Sequence, residues 1–211
     1  MSGRIGVLIS GSGTNLQSLI DALEGHPMGS IAVVISNRAD AYGLERARRA
    51  GIPAVVVDHR ARSREQFDDE LVSILRAHEV EWVALAGFMR IITKRLLSAF
   101  PGRVINIHPS LLPAFPGLNA QQQAYDAQVE QTGATVHFVD AGMDTGPIIA
   151  QGVVPRLEDD TVDTLQQRIL RMEHRLFPLV VRLAVEGRLR LGERGDVLVE
   201  LEAGESLRLE D

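Results

Sequence analysis

The 211-residue chain contains no cysteine. That absence excludes disulfides, thiolate zinc sites and a cysteine nucleophile, and it suits a cytoplasmic enzyme. No apolar run approaches the roughly 18 residues that a membrane-spanning helix needs. Positive charge is scarce as well: 22 Lys and Arg against 28 Asp and Glu leave a formal charge of −6. A broad basic surface for nucleic acid is therefore not expected. The histidines, His26, His59, His78, His108, His137 and His174, include no HExxH and no close pair, so no metal site is expected. No G-x-S-x-G occurs, which excludes a hydrolase elbow. The start, Met1-Ser2-Gly3-Arg4, lacks signal-peptide architecture and runs directly into a strand. There is no internal repeat, low-complexity segment or convincing interdomain linker, and the length fits one domain, with or without a tail.

What the sequence does contain is an alternation of short apolar runs with helical patterns. Ile5–Ile9 reads as a buried parallel strand, nearly continuous in apolar residues. A helix over Leu16–Leu23 follows, then strands over Ile31–Ile35 and Ala54–Val57, separated by a helix around Tyr42–Ala50 that stops at Gly51. Ser63 opens an amphipathic helix to about His78, with Phe67, Leu71, Ile74 and Leu75 on one face. A strand at Trp82–Ala86, a helix over Lys94–Phe100 and a strand at Val104–His108 complete a doubly wound, mostly parallel α/β sheet. From Thr135 the pattern changes: Thr135–Val139 and Pro147–Gln151 lie close enough to be strands joined by a loop, which makes the sheet mixed. A long helix is expected from Thr161 to about Glu186. We expect one domain over residues 1–190, and a tail over 191–211 that forms a short hairpin.

Two stretches carry chemistry. Gly11-Ser12-Gly13-Thr14-Asn15 joins a strand to a helix, where exposed backbone N–H groups and a helix N-terminus attract anions. No Gly-Lys-Ser/Thr follows, so it is not a Walker loop. It is also a poor dinucleotide fingerprint, with Leu16 at the third glycine and Ser36-Asn37 where an acid is wanted. A monophosphate site is the preferred reading. The second stretch is Asn106-Ile107-His108-Pro109-Ser110-Leu111-Leu112-Pro113. Asn106 and His108 project to the same face at the carboxyl end of a strand, where open α/β sheets bind ligands. An amide can donate to an oxyanion, and an imidazole titrates near neutrality. The loop Asp140-Ala141-Gly142-Met143-Asp144 offers two acids, of which Asp144 is the better partner for His108; both could equally be turn acids.

These stretches, together with Ser36-Asn37-Arg38-Ala39-Asp40, Leu85-Ala86-Gly87-Phe88-Met89-Arg90, Thr135–Asp140 and Asp144-Thr145-Gly146-Pro147-Ile148, make the chain resemble the phosphoribosylglycinamide formyltransferases over about residues 4–190. The resemblance implies a Rossmann-like fold and transfer of the formyl group of 10-formyltetrahydrofolate, a co-substrate, to the amine of glycinamide ribonucleotide in purine biosynthesis. Direct attack through a tetrahedral intermediate is implied, with Asn106, His108 and Asp144 as the catalytic set. It places the substrate phosphate on Gly11, Ser12, Gly13, Thr14 and Asn15, and the ribose near Glu173. It lines the pterin pocket with Met89, Arg90, Ile91, Ile92 and the Asp140–Asp144 loop, and puts Arg64 near the folate tail. Arg64 and Glu173 rest on position alone; as a solvated charge and an ordinary helix partner they would need no such role. No metal, nucleic acid or membrane partner is implied, and the chain would be a monomer or a homodimer. One departure stands out: after Pro116-Gly117-Leu118 many relatives carry His-Ala/Thr-His, whereas this chain has Asn119-Ala120-Gln121. A deformylase would keep Asn106, His108 and Asp144 without needing the phosphate loop and would add an N-terminal domain. A methionyl-tRNA formyltransferase would need a further C-terminal domain and a basic surface. A folate-binding module without activity would have no need of the catalytic set.

Overall fold

The structure, a computed structural model, describes residues 3–60 and 62–211. Strands β1 (Gly3–Ile9), β2 (Gly29–Ser36), β3 (Ala54–Val56), β4 (Trp82–Leu85) and β5 (Val104–His108) pair in parallel, and β6 (Gln131–Phe138) and β7 (Ile148–Pro155) continue the sheet antiparallel. The order across the sheet is β7-β6-β5-β4-β1-β2-β3, with one further strand outside β7. The chain moves outward in one direction from β1 to β3 and in the other from β4 to β5. The boundary between β1 and β4 is therefore a topological switch point, and the crevice beyond the carboxyl ends of these strands is where such sheets hold ligands.

Both faces of the sheet are covered, which explains strands that read as unbroken apolar runs. Ile5, Val7 and Ile9 of β1 and Trp82 and Ala84 of β4 face one core, formed with α1 (Thr14–Leu23), α2 (Tyr42–Arg49) and α6 (Val162–Val185). Leu8 of β1 and Val83 and Leu85 of β4 face the other, with α3 (Arg64–Ala77) and α4 (Lys94–Ala99). Residues one apart thus enter different cores, as the pleat requires. Each core residue of this kind contributes about 1.5–3 kcal/mol of burial.

The helix ends explain where the chain turns. Ser63 accepts from the Gln66 N–H while Gln66 reaches back to the Ser63 N–H, a reciprocal cap that fixes the start of α3. Thr161 opens α6 in the same manner with Thr164. Helix α1 begins at Thr14 rather than Leu16, because Gly13 takes φ +71° and turns the chain directly into the helix.

Three features lie outside the sequence expectations. The antiparallel strands are longer than Thr135–Val139 and Pro147–Gln151. Helix α5 (Ala120–Asp126) was not expected: its Gln-rich sequence shows no apolar stripe, and only Ala120 and Ala124 are buried. In the tail, β8 (Leu189–Leu191) and β9 (Val197–Val199) pair as a hairpin, but β10 (Arg208–Glu210) leaves it and joins β7 in parallel at the edge of the main sheet. Arg-Leu-Glu is too short and too charged to announce itself as a strand. Among the described residues no helix is long and apolar enough to cross a membrane.

Candidate active site

Strand β5 delivers Asn106 and His108 to the crevice, and β6 lies against it with His137 directly opposite Asn106 in the ladder. The Nδ1 of His137 lies 2.8 Å from the Phe138 carbonyl, so that nitrogen carries a proton. Its Nε2 then accepts from the Asn106 amide at 3.1 Å. His137 is 1% exposed, and this bond fixes which way the Asn106 amide points. Sequence reading missed His137; the antiparallel pairing of β5 and β6 was the signal that could have found it.

His108 is 4% exposed, and both of its ring nitrogens face acceptors. Nε2 lies 2.9 Å from the Phe115 carbonyl and Nδ1 lies 3.4 Å from Asp144 Oδ2. A neutral ring can satisfy only one of these, whereas an imidazolium satisfies both. Asp144 is brought in by the loop between β6 and β7, at φ +55°, a conformation that Asp tolerates better than most residues. The Gly117 N–H donates to its Oδ2 at 2.8 Å, and His137 Nε2 lies 3.6 Å from its Oδ1. Burial pushes the Asp144 carboxyl up, but the Gly117 N–H and the His108 charge hold it below the usual carboxylate value. Beneath this cluster, buried Thr135 donates to the Ser110 carbonyl at 2.7 Å and accepts from the Leu112 N–H at 3.0 Å. Gln151 donates to the Leu112 carbonyl at 2.9 Å, so the Pro-rich loop after His108 is held from below.

Across the switch point lies the glycine loop. The Gly11 carbonyl accepts from the Gly43 N–H at 3.1 Å, and Arg46 donates to the Ser12 carbonyl at 2.9 Å, tying the loop to α2. Asn15, in the first turn of α1, donates to Glu173 of α6 at 2.8 Å, a buried bond across 158 residues of sequence. Glu173 is thus no ordinary surface partner on its helix. Burial pushes its carboxyl up to about 7, against the pull of the Asn15 bond. Two polar atoms here are buried without a protein partner, Asn15 Oδ1 and His174 Nε2. His174, Arg46, Thr14, Gln17 and Ser18 line a cavity of about 570 Å³ beside the loop. Sequence reading gave neither Arg46 nor His174 a role in the site.

Between the two halves runs the segment after β4. Met89 is 65% and Ile91 51% exposed, while Phe88 and Ile92 are buried. Among the described residues, the backbone N–H groups of Arg90, Ile91 and Ile92 make no hydrogen bond. Asp140 accepts from the Gly142 N–H at 2.9 Å and from the Thr145 hydroxyl at 2.8 Å, so its carboxylate acts as a turn acid within its own loop. Arg64 is the exposed first residue of α3, with no described partner. Asn119 caps α5 at φ +57° and is exposed, and Gln121 is half-buried.

A mixed, doubly wound sheet with a His–carboxylate–amide cluster on one side of its switch crevice and a glycine loop at a helix N-terminus on the other is a layout suited to a group-transfer enzyme. The chain belongs to the formyl transferase family, whose description, Formyl transferase, matches residues 3–181. It is 44% identical over 189 residues to the phosphoribosylglycinamide formyltransferase of Escherichia coli (strain K12), covering 89% of each chain. It is 51% identical over 191 residues to the trifunctional purine biosynthetic protein adenosine-3 of Drosophila pseudoobscura pseudoobscura; that match takes in 89% of this chain but only 14% of the longer protein. A crystal structure of glycinamide ribonucleotide transformylase 1 from Symbiobacterium toebii superposes with a TM-score of 0.90 at 56% identity, covering 94% of both chains. Among the described residues no group of three or more His, Asp or Glu side chains is placed to hold a metal ion.

Proposed function

We propose that this chain transfers the formyl group of 10-formyltetrahydrofolate to the amine of glycinamide ribonucleotide, in the cytoplasm, as a step of purine synthesis. The observation that carries the reading is the Asn106–His137–Asp144–His108 cluster, facing the same crevice as a loop built for an anion. The ribonucleotide phosphate lies on the N–H groups of the Gly11–Asn15 loop, with Arg46 and His174 beside it, and Glu173 accepts from a ribose hydroxyl. The folate's flat ring fits the exposed Met89 and Ile91 side chains and the free backbone groups of Arg90–Ile92.

The amine nitrogen attacks the formyl carbon, whose carbonyl oxygen takes up negative charge in a tetrahedral intermediate. Asn106 has one amide hydrogen on His137 and a second to give to that oxygen. Protonated His108 is held by Asp144, and its Nε2–H exchanges the Phe115 carbonyl for the intermediate. Collapse breaks the bond from carbon to the folate nitrogen, which leaves with a proton supplied from His108. The amine loses a proton through water to Asp144. No covalent enzyme intermediate is needed.

The reading is tested by incubating the purified chain with 10-formyltetrahydrofolate, with and without glycinamide ribonucleotide. Tetrahydrofolate and formylated ribonucleotide should accumulate together, and only when both substrates are present. Formate release at the same rate without the ribonucleotide would make the chain a deformylase and overturn the assignment.

A further inference from the structure

The segment Phe88–Thr93 presents an unusual surface: two large apolar side chains face solvent, and its backbone is neither helix nor strand. A stretch of this kind is held only if something outside it fixes it. Two buried side chains do so, one at each end. At the start, the Ser10 hydroxyl accepts from the Met89 N–H at 2.8 Å and donates to Asn37 Oδ1 at 2.6 Å, while the Ser10 N–H donates to the Gly87 carbonyl at 3.1 Å. At the end, the Asp68 carboxylate accepts from the Thr93 N–H at 2.5 Å. Asp68 is 1% exposed, in the middle of the apolar face of α3. A carboxylate in that position is costly, and burial indeed pushes its carboxyl up, with the Thr93 groups and the Arg90 charge pulling it back. Nothing in the packing of α3 requires an acid there; an apolar residue would fill the same space without a charge to desolvate.

The neighbouring residue completes the grip. Phe67 stacks on Phe88 with ring centroids 6.4 Å apart, and the Arg90 guanidinium lies over the Phe67 ring, 5.1 Å from its centroid. Arg90 is therefore tethered by its charged plane, and its Nε is buried without a hydrogen-bond partner. Consecutive residues of α3 thus hold the segment at Phe88, Arg90 and Thr93, and Ser10 holds it at Met89. Ser10 immediately precedes the glycine loop, so the two binding regions share one anchor.

We propose that Asp68 and Ser10 are positioning residues that hold the Met89–Ile92 segment in its folate-binding shape before the folate arrives, an inference that rests on the folate reading of that segment given above. Preorganisation of this kind lowers the cost of binding without adding a contact to the ligand. Removing an anchor should weaken folate binding while leaving the phosphate side and the chemical step in place.

The test is calorimetric titration of the full chain with tetrahydrofolate and, separately, with glycinamide ribonucleotide, together with steady-state kinetics. Asp68→Ala should raise the Kd for tetrahydrofolate about tenfold, with the ribonucleotide Kd and kcat within about twofold of wild type. Asp68→Asn keeps an acceptor for the Thr93 N–H and should recover most of that loss. Ser10→Ala, at the other end, should also weaken tetrahydrofolate binding about tenfold, and it carries the test alone if Asp68→Ala does not fold. Wild-type affinity for tetrahydrofolate in Asp68→Ala or, should that variant not fold, in Ser10→Ala overturns the proposal, as does an equal loss for both ligands. A wild-type chain that fails to bind tetrahydrofolate at all would instead overturn the folate reading itself.

Discussion

On the β5–β6 side of the crevice, His108 and His137 each have a partner at both ring nitrogens, and Asp144 is held by the Gly117 N–H as well as by His108. On the β1–α6 side, Asn15 Oδ1 and His174 Nε2 are buried with no partner, and Glu173 is buried with a single hydrogen bond. In the first arrangement every ring nitrogen and the carboxylate are held without a ligand, and in the second two buried polar atoms are not. Groups that stabilise developing charge act best when their orientation is fixed beforehand, because no reorganisation is then needed during reaction. Groups that only bind can be left unsatisfied, since the ligand supplies the missing partners and the protein carries a modest penalty until it does.

The sharpest way to break this contrast is at His108. If the β5–β6 cluster serves the transition state and not the ground state, His108→Ala should lower kcat by about 10²–10³, as loss of an oxyanion partner commonly does. The Kd values for tetrahydrofolate and for the ribonucleotide, measured by titration, should stay close to wild type. A variant whose affinities and kcat fell together would mean that the cluster binds as much as it catalyses, and the two halves would no longer differ in kind.

A second test acts on the other half, at Glu173. Its carboxyl is raised from an ordinary value of 4.5 to about 7, chiefly by burial. The folded state therefore holds a proton between those values that the unfolded state has released. The sign follows: this group's contribution to stability is full below pH 4.5 and is lost as pH rises through about 7. The loss amounts to about 3 kcal/mol. Glu173→Gln does not titrate, and its amide can both accept from Asn15 and donate toward the orphaned Asn15 Oδ1. Urea denaturation should find the variant gaining on wild type by roughly 3 kcal/mol between acid and mildly alkaline pH, with affinity for the ribonucleotide reduced. A stability difference that does not change with pH would show that burial does not raise the Glu173 carboxyl as described above.

How much of this was legible in the sequence depended on range. Val7, Leu8 and Ile9 announced a buried strand because a sheet covered on both faces needs apolar residues at every position. Ser63 and Gln66 announced a helix start because their bonds close within three residues. Asn106 and His108 were visible as a pair because the strand period puts them on one face. His137 and Arg46 were not, since each acquires its meaning from a residue at least 29 positions away, and His174 was not, since only helix packing sets it beside Thr14 and Arg46. Helix α5 was hidden for a different reason: Ala120 and Ala124 bury too little to leave a periodic trace. The glycine loop was legible as a loop, but the reason for each glycine was not. A loop that offers its N–H groups to an anion gives Gly11 and Gly13 the same apparent reason, an open approach. In the structure a Cβ on Gly13 would lie 2.6 Å from the Gly43 Cα, so this glycine serves the packing of the loop on α2 and the turn at φ +71°. A Cβ on Gly11 would meet nothing within 4 Å.

That distinction makes Gly11, and not Gly13, the position at which the phosphate site can be tested. Gly13→Val would force a branched side chain into α2 and into a backbone conformation it rarely adopts, so the variant should lose stability by a few kcal/mol. Any rise in its KM would then be uninterpretable. Gly11→Val puts its Cβ into open space at the loop, where the phosphate is proposed to lie, and Gly11 is not in the left-handed backbone region. Its thermal midpoint should stay within a few degrees of wild type. Its KM for glycinamide ribonucleotide should rise about tenfold, the equivalent of roughly one lost hydrogen bond to a charged group. The Kd for tetrahydrofolate should barely move, because that ligand is assigned to the segment after β4. The dephosphorylated amine supplies the control. Wild type should use it poorly, and Gly11→Val should use it no worse, since the contact the valine blocks is already absent. A folded Gly11→Val variant that kept its KM for the ribonucleotide would place the phosphate elsewhere. The unpartnered atoms of Asn15 and His174 would then need another explanation, and the division of the crevice into a completed half and a half awaiting its ligand would fail on this side.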